Sequence, residues 1–286
     1  MTKDKPKPDI ELLASYWTIA GGAIPHTGPE YSPFDFKDRV EACAKIGFKG
    51  MGFWHTDIEH VLLTRSAKEM KQILNHNGIR HIELEFITDW FADGERRQES
   101  DRIRKLLLRT AETLEARHIK IGDFMAEPCP MDKLIEEYST LCAEGAEHGT
   151  DIIYELLPWK TPGNLDDAMS MIEGANMANG GLMLDIWHFH SLEIANSRIE
   201  NIPLKYLKGV ELNDGPAKIT GDWRDQTVNH RLLCGEGEFD VKGLVKAVQK
   251  AGYKGPYGVE VLNQSMRSWS LEKLAARAYE TTMAMF

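Results

Sequence analysis

Eight times over, the chain passes from a short apolar run of strand character to a longer segment of helical periodicity. The strand-like runs fall near 9–16, 48–54, 79–87, 119–124, 151–157, 181–187, 206–213 and 256–262. Helical patterns fill most of the intervals: Asp38 to Ile46, Ala67 to Asn77, Arg96 to Arg117, Met131 to His148, Leu165 to Ala178, Ser191 to Glu200, Val241 to Ala251 and Ser270 to Met283. Several stop on glycine, the usual residue at a helix end, as in Ile46-Gly47, Asn77-Gly78, His148-Gly149 and Ala251-Gly252. Strands joined through helices lie parallel, and eight such units with no break in composition predict a single-domain (β/α)8 TIM barrel over 1–286. A doubly wound open sheet is the rival, but no GxGxxG follows the first strand. One connection is long: 214–239 carries little regular pattern and contains Gly-Pro, Gly-Asp-Trp and Gly-Glu-Gly. In a barrel it leaves the seventh strand over the mouth of the active site, where long loops serve function.

Four of the strand-like runs carry a single acid within an apolar stretch: Glu155, Asp185, Glu211 and Glu260. A carboxylate alone in a buried strand is costly unless it has a partner. Side chains alternate along a strand, so Ile153, Glu155 and Leu157 share a face, as do Glu211 with Asn213, and Gly258 with Glu260. If those faces point inward, the four acids converge at the C-terminal mouth and share one partner. A divalent cation is the natural one. All-oxygen donors favour a hard ion, Mn2+ first, with Mg2+ or Co2+ as alternatives. Asn213 is the other candidate for the ligand assigned to Glu211. Glu83 and Glu85 alternate on the third strand and either line the mouth or pair with a helix cation.

The formal charge of −10 argues against nucleic acid as a partner. No apolar stretch reaches membrane-spanning length and no signal peptide opens the chain, while the polar start Thr2 to Lys7 reads as a frayed terminus. The four cysteines show no zinc or disulfide spacing, so a reducing, cytoplasmic setting is expected.

Asp185-Ile186-Trp187-His188 resembles the Asp-x-x-His of the xylose isomerase-like sugar isomerase/epimerase superfamily, in order and spacing with the other acids along nearly the whole chain. Glu155 and Glu260 match its two metal-binding glutamates, Glu211-Leu212-Asn213-Asp214 resembles its His-x-x-Asp, and Arg231 with Gly235-Glu236-Gly237 resembles its Arg…Gly-x-Gly segment. Two positions depart. Glu211 stands where the ketose 3-epimerase branch usually has histidine, and Gly52 stands where the second strand commonly ends in an acid, with His55 nearby as a substitute polar group.

The resemblance implies proton removal next to a carbonyl, with a divalent ion stabilising an enediolate. Glu155 and Glu260 are then the catalytic acid–base pair, His188 orients or polarises a substrate oxygen, and Arg231 and His55 bind substrate. Trp17, Trp54, Trp90 and Trp223 either wall the sugar site or pack the core. The expected substrate is a small sugar or keto-sugar, handled by a possible homo-oligomer or with a small partner subunit. An isomerase or epimerase is the first reading. A lyase or dehydratase acting by β-elimination, including C-glycoside deglycosidases of 3-oxo-glycosides, is the alternative. Endonuclease IV-like repair is disfavoured by the charge and the carboxylate donors, and a catalytically inert binding barrel by the intact acids.

Overall fold

The computed structural model describes residues 10–286; the expected frayed segment Thr2 to Lys7 lies outside them. Eight parallel strands close into a barrel in chain order. They are β1 (Leu12–Ala14), β2 (Gly50–Trp54), β3 (His81–Ile87), β4 (His118–Ile121), β5 (Asp151–Glu155), β6 (Gly180–Asp185), β7 (Leu207–Leu212) and β8 (Tyr257–Val259). Pairing of Leu12 with Tyr257 and Ala14 with Val259 closes the ring.

Strand alternation decides the two surfaces of this ring. Met51 and Phe53, Ile119 and Ile121, Ile152 and Tyr154, Leu182 and Leu184, and Val210 and Leu212 face outward into the core shared with the helices. The opposite phase points into the lumen, which is unusually polar: it holds Glu83, Glu85, His118, Lys120, Glu155, Asp185, Glu211 and Glu260, all buried. Such side chains need space that a narrow barrel lacks. Glycine supplies it at Gly52, where a β-carbon would sit 2.9 Å from Glu85 Oε1 and 3.0 Å from Glu83 Oε1. Gly258 does the same for Glu211, whose Cγ would lie 2.7 Å from an added β-carbon. The missing acid of the second strand is thus matched by two acids from the third, which occupy its space.

Several boundaries differ from the sequence expectation. The sixth strand, expected over 181–187, stops at Asp185, because the Asp185 carboxylate accepts from Trp187 N at 2.9 Å and starts the helix Ile186–Ser191. The helix expected over Ser191 to Glu200 is therefore two short ones, Ile186–Ser191 and Asn196–Ile199. The first strand ends at Ala14, the helix Tyr16–Ile19 follows, and His55–Leu62 continues directly from β2 as a helix. The long connection after β7 contains one more helix, Trp223–Asn229, capped by Asp222.

Candidate active site

Barrel closure brings the acids of β5 to β8 together. One oxygen from each of Glu155, Asp185, Glu211 and Glu260 lies within 4.8 Å of the others. The register places Asp185 beside Glu211 and Glu211 beside Gly258, so neighbouring strands present their acids at one level.

Sequence reasoning expected one shared cationic partner for these acids. The protein itself supplies two. Lys120, the inward residue of β4, is fully buried, with Nζ 2.9 Å from Glu211 Oε1, 3.1 Å from Glu260 Oε1 and 3.2 Å from Glu85 Oε2. Arg231 Nη1 donates to Asp185 Oδ2 at 2.7 Å and to Glu260 Oε2 at 2.9 Å. Its Nε and Nη2 are held by the Thr227 carbonyl and hydroxyl, both at 3.0 Å. Lys120 escaped the sequence reading, although His118-Ile119-Lys120-Ile121 shows the same alternation that exposed the acids. A cation inside an apolar strand was the signal to follow.

The remaining partners are local. His188, one turn after Asp185, donates or accepts through Nε2 at 3.1 Å from Glu155 Oε1 and lies 3.4 Å from Asp185 Oδ2. Asn213 donates to Asp185 Oδ1 at 2.8 Å, and Ser15 donates to Glu211 Oε1 at 2.7 Å. Glu83 pairs with His118 Nε2 at 2.7 Å, whereas Glu85 faces the cavity.

Electrostatics divide the acids. Burial pushes Glu211 well above the ordinary carboxylate range; Glu260 reinforces this and Lys120 opposes it. Burial also raises Glu85 well above that range, against the pull of Lys120. Burial raises Glu260 too, with Lys120 and Arg231 offsetting only part of it. For Asp185 burial is outweighed by Arg231, His188, the Trp187 N–H and Asn213, so its carboxyl is held below its ordinary value. Lys120 stays firmly charged: burial works against the ammonium, but Glu211, Glu260, Glu83 and Glu85 hold its pKa well above normal.

A divalent ion suits this donor set. Six buried acids meet two permanent cations, Lys120 and Arg231, and Glu211 Oε2 and Asn213 Oδ1 are buried without any hydrogen-bond partner. Hard oxygen donors with spare lone pairs and surplus negative charge are what such an ion requires.

A cavity of ≈ 320 Å³ opens above the cluster. Its polar lining includes Glu85, Glu155, His188, Arg231 and Glu260, and Trp17, Trp54, Phe86, Phe124 and Trp223 form an aromatic wall. Asp185 and Glu211 lie behind this lining. Of the expected tryptophans, Trp90 is instead a fully buried core residue. His55, expected to bind substrate, does not line the cavity, because it opens the helix after β2 and leaves Trp54 on the wall.

The connection after β7 covers this cavity with Trp223, Arg224, Thr227, Val228 and Arg231. Asp214 holds the connection in place: its carboxylate accepts from the N–H groups of Gly215 at 2.8 Å, Gly235 at 2.8 Å and Phe239 at 2.9 Å. Gly235 adopts φ +81, and a β-carbon at Gly237 would collide with Asp214 and the Gly215 backbone. This close approach accounts for Gly235-Glu236-Gly237.

A parallel eight-stranded barrel whose ionisable cluster and cavity sit at the C-terminal strand ends has the layout of a barrel enzyme. The chain belongs to the xylose isomerase-like TIM barrel family, whose model matches residues 40–284. It is 25% identical over 240 residues to a 3-dehydroshikimate dehydratase of Pseudomonas aeruginosa, a match covering 81% of this chain and 37% of that protein. It therefore spans little more than a third of that relative's length. An inosose isomerase of Halalkalibacterium halodurans is 23% identical over 138 residues, 48% of each chain. The crystal structure of the IOLI protein with a bound zinc atom superposes with a TM-score of 0.81 at 17% identity, covering 96% of this chain and 98% of that one. Among the described residues no helix is long and apolar enough to cross a membrane.

Proposed function

We propose that the protein removes a proton from carbon next to a carbonyl in a small sugar-like polyol, and that a leaving group departs from the neighbouring carbon. The observation that carries this reading is the unequal setting of Glu155 and Glu260, which line the cavity together with Glu85. Glu155 stands beside His188, 3.1 Å away, while Glu260 is held by both Lys120 and Arg231. Epimerisation through two bases calls for two carboxylates of similar freedom. Elimination calls for one base and one acid, which Glu155 and His188 are placed to supply. Arg231, locked by Thr227, orients substrate oxygens with the part of its fork that faces the cavity. The aromatic wall packs the apolar face of the ring and keeps water from the reacting carbon.

Glu155, Asp185, Glu211 and Glu260 would hold the divalent ion, Mn2+ or Mg2+ by donor type, with Asn213 beside them. Bound there, it stabilises negative charge developing on the carbonyl oxygen. Similarity to a dehydratase over most of the chain supports elimination. A second reading, isomerisation or epimerisation, is favoured by the raised pKa of Glu260, which equips it to take a proton despite its cations. The four free cysteines suit a reducing compartment such as the cytoplasm.

Incubation of metal-loaded protein with cyclic and open-chain keto-polyols in D2O, followed by NMR and mass spectrometry, tests the proposal. Elimination gives a product lighter by the leaving group and one hydrogen. A product that keeps every heavy atom and carries deuterium at one carbon supports the isomerase reading instead. Failure to exchange any carbon-bound proton across the panel refutes both.

A further inference from the structure

We propose that Lys120 is the positioning residue of the carboxylate ring: its ammonium holds Glu211 and Glu260 in place and supplies charge that keeps the barrel folded when no divalent ion is bound. The inference deepens the metal reading above, and its first half is independent of it.

The geometry is specific. Lys120 Nζ lies 2.9, 3.1 and 3.2 Å from oxygens of Glu211, Glu260 and Glu85, with Glu83 and Glu155 at 3.7 and 3.8 Å. These acids come from or directly follow β3, β5, β7 and β8, so a single ammonium ties strands on several sides of the lumen. Of the three N–H donors of an ammonium, two are given to Glu211 and Glu260, and Glu85 stands within ion-pair distance. Lys120 does not line the cavity, so it acts through other residues rather than on substrate. Glu211 depends on it most. Apart from Lys120 its carboxylate has Ser15, and its Oε2 has no partner, whereas Glu260 keeps Arg231.

Without Lys120, buried acids would face one another in a medium that cannot solvate them, and a buried charge left unpaired is strongly destabilising. A divalent ion in the ring would supply the same kind of charge. For stability, the lysine and the ion are therefore partly interchangeable. For binding they repel, since both are cations drawn to the same oxygens.

Wild type, Lys120→Met and the double variant Lys120→Met/Glu211→Gln are compared by thermal unfolding in chelator and in Mn2+, with calorimetric Mn2+ titration. In chelator, Lys120→Met is expected to melt lower by on the order of 10 °C. Mn2+ should raise its melting temperature more than that of wild type. Its Mn2+ affinity should be higher by roughly tenfold, through loss of a like charge. A lysine whose charge lay away from the carboxylate ring would not produce that gain. The double variant, which removes the charge together with its most dependent partner, should recover at least half of the loss in chelator. If Lys120→Met does not fold in chelator, folding of the double variant supports the proposal and its failure overturns it. Melting of Lys120→Met within 2 °C or so of wild type in chelator, or an equal gain from Mn2+ in both proteins, also overturns it. Absence of Mn2+ binding to every protein defeats the metal reading and the interchange with it. The chelator comparison then still decides the positioning role.

Discussion

Replacing Asp214 with alanine should loosen the connection that carries Arg231 while leaving the barrel itself assembled. Asp214 is 1% exposed and accepts three backbone N–H groups, two through Oδ1 and one through Oδ2. Alanine leaves all three donors without a side-chain acceptor. Hydrogen bonds to a charged group contribute about 1.5–3 kcal/mol each, but Gly235 is exposed and water will serve its N–H, so the expected loss is about 3–5 kcal/mol. Against a typical total of about 5–15 kcal/mol the protein stays folded at 25 °C. Urea unfolding monitored by tryptophan fluorescence measures the loss, and limited proteolysis locates it within 215–239. Asp214→Asn should lose less, because one oxygen is kept for either the Gly215/Phe239 pair or Gly235. Proton-exchange activity should fall in Asp214→Ala even where it is folded, since Arg231 reaches Asp185 and Glu260 from this connection. A loss under about 1 kcal/mol, with unchanged proteolysis, would refute the view of Asp214 as the anchor.

Glu155→Gln should reduce exchange of the substrate proton by about 10²–10⁴-fold without unfolding the protein, measured by deuterium uptake; bound metal, read by elemental mass spectrometry, should fall too. Trp223→Ala should raise KM by roughly tenfold with little change in kcat, since stacking of this size is about 0.5–1.5 kcal/mol; steady-state kinetics check it. The His118 contribution gives stability a slope that declines as pH falls below about 6.5, opposite in sign to that of the raised acids Glu85, Glu211 and Glu260. Burial holds His118 below its ordinary value, with Glu83 opposing. The unfolded chain therefore takes up a proton before the fold does, and the contribution is full above the unfolded pKa and lost as pH drops. His118→Gln, which can still donate to Glu83, should flatten that slope in urea titrations between about pH 6.5 and 5.

Much of the candidate site was legible because strand alternation is local. The residues flanking Glu155, Asp185, Glu211 and Glu260 declared both their phase and their level in the barrel. Arg231 was legible through Gly235-Glu236-Gly237, whose close approach to Asp214 leaves no room for a β-carbon at Gly237. The helices beginning at Tyr16, His55 and Ile186 were not. Those at Tyr16 and Ile186 start where a strand-like apolar run continues, the second of them capped by Asp185, and the one at His55 follows the expected strand end at Trp54 without a break. His55 lies off the cavity wall, since the helix it opens follows directly on Trp54.

By itself the sequence determined the eight βα units and which acids face inward, because backbone repeat and side-chain phase are settled within a few residues. Tertiary structure alone decided what neutralises those acids. Lys120 meets Glu211 across 91 positions of chain and Glu260 across 140, and Arg231 meets Asp185 across 46. No local pattern encodes such pairings. They exist because β1 closes onto β8, which turns a row of strands into a lumen and makes distant side chains share a few ångströms of low-dielectric space.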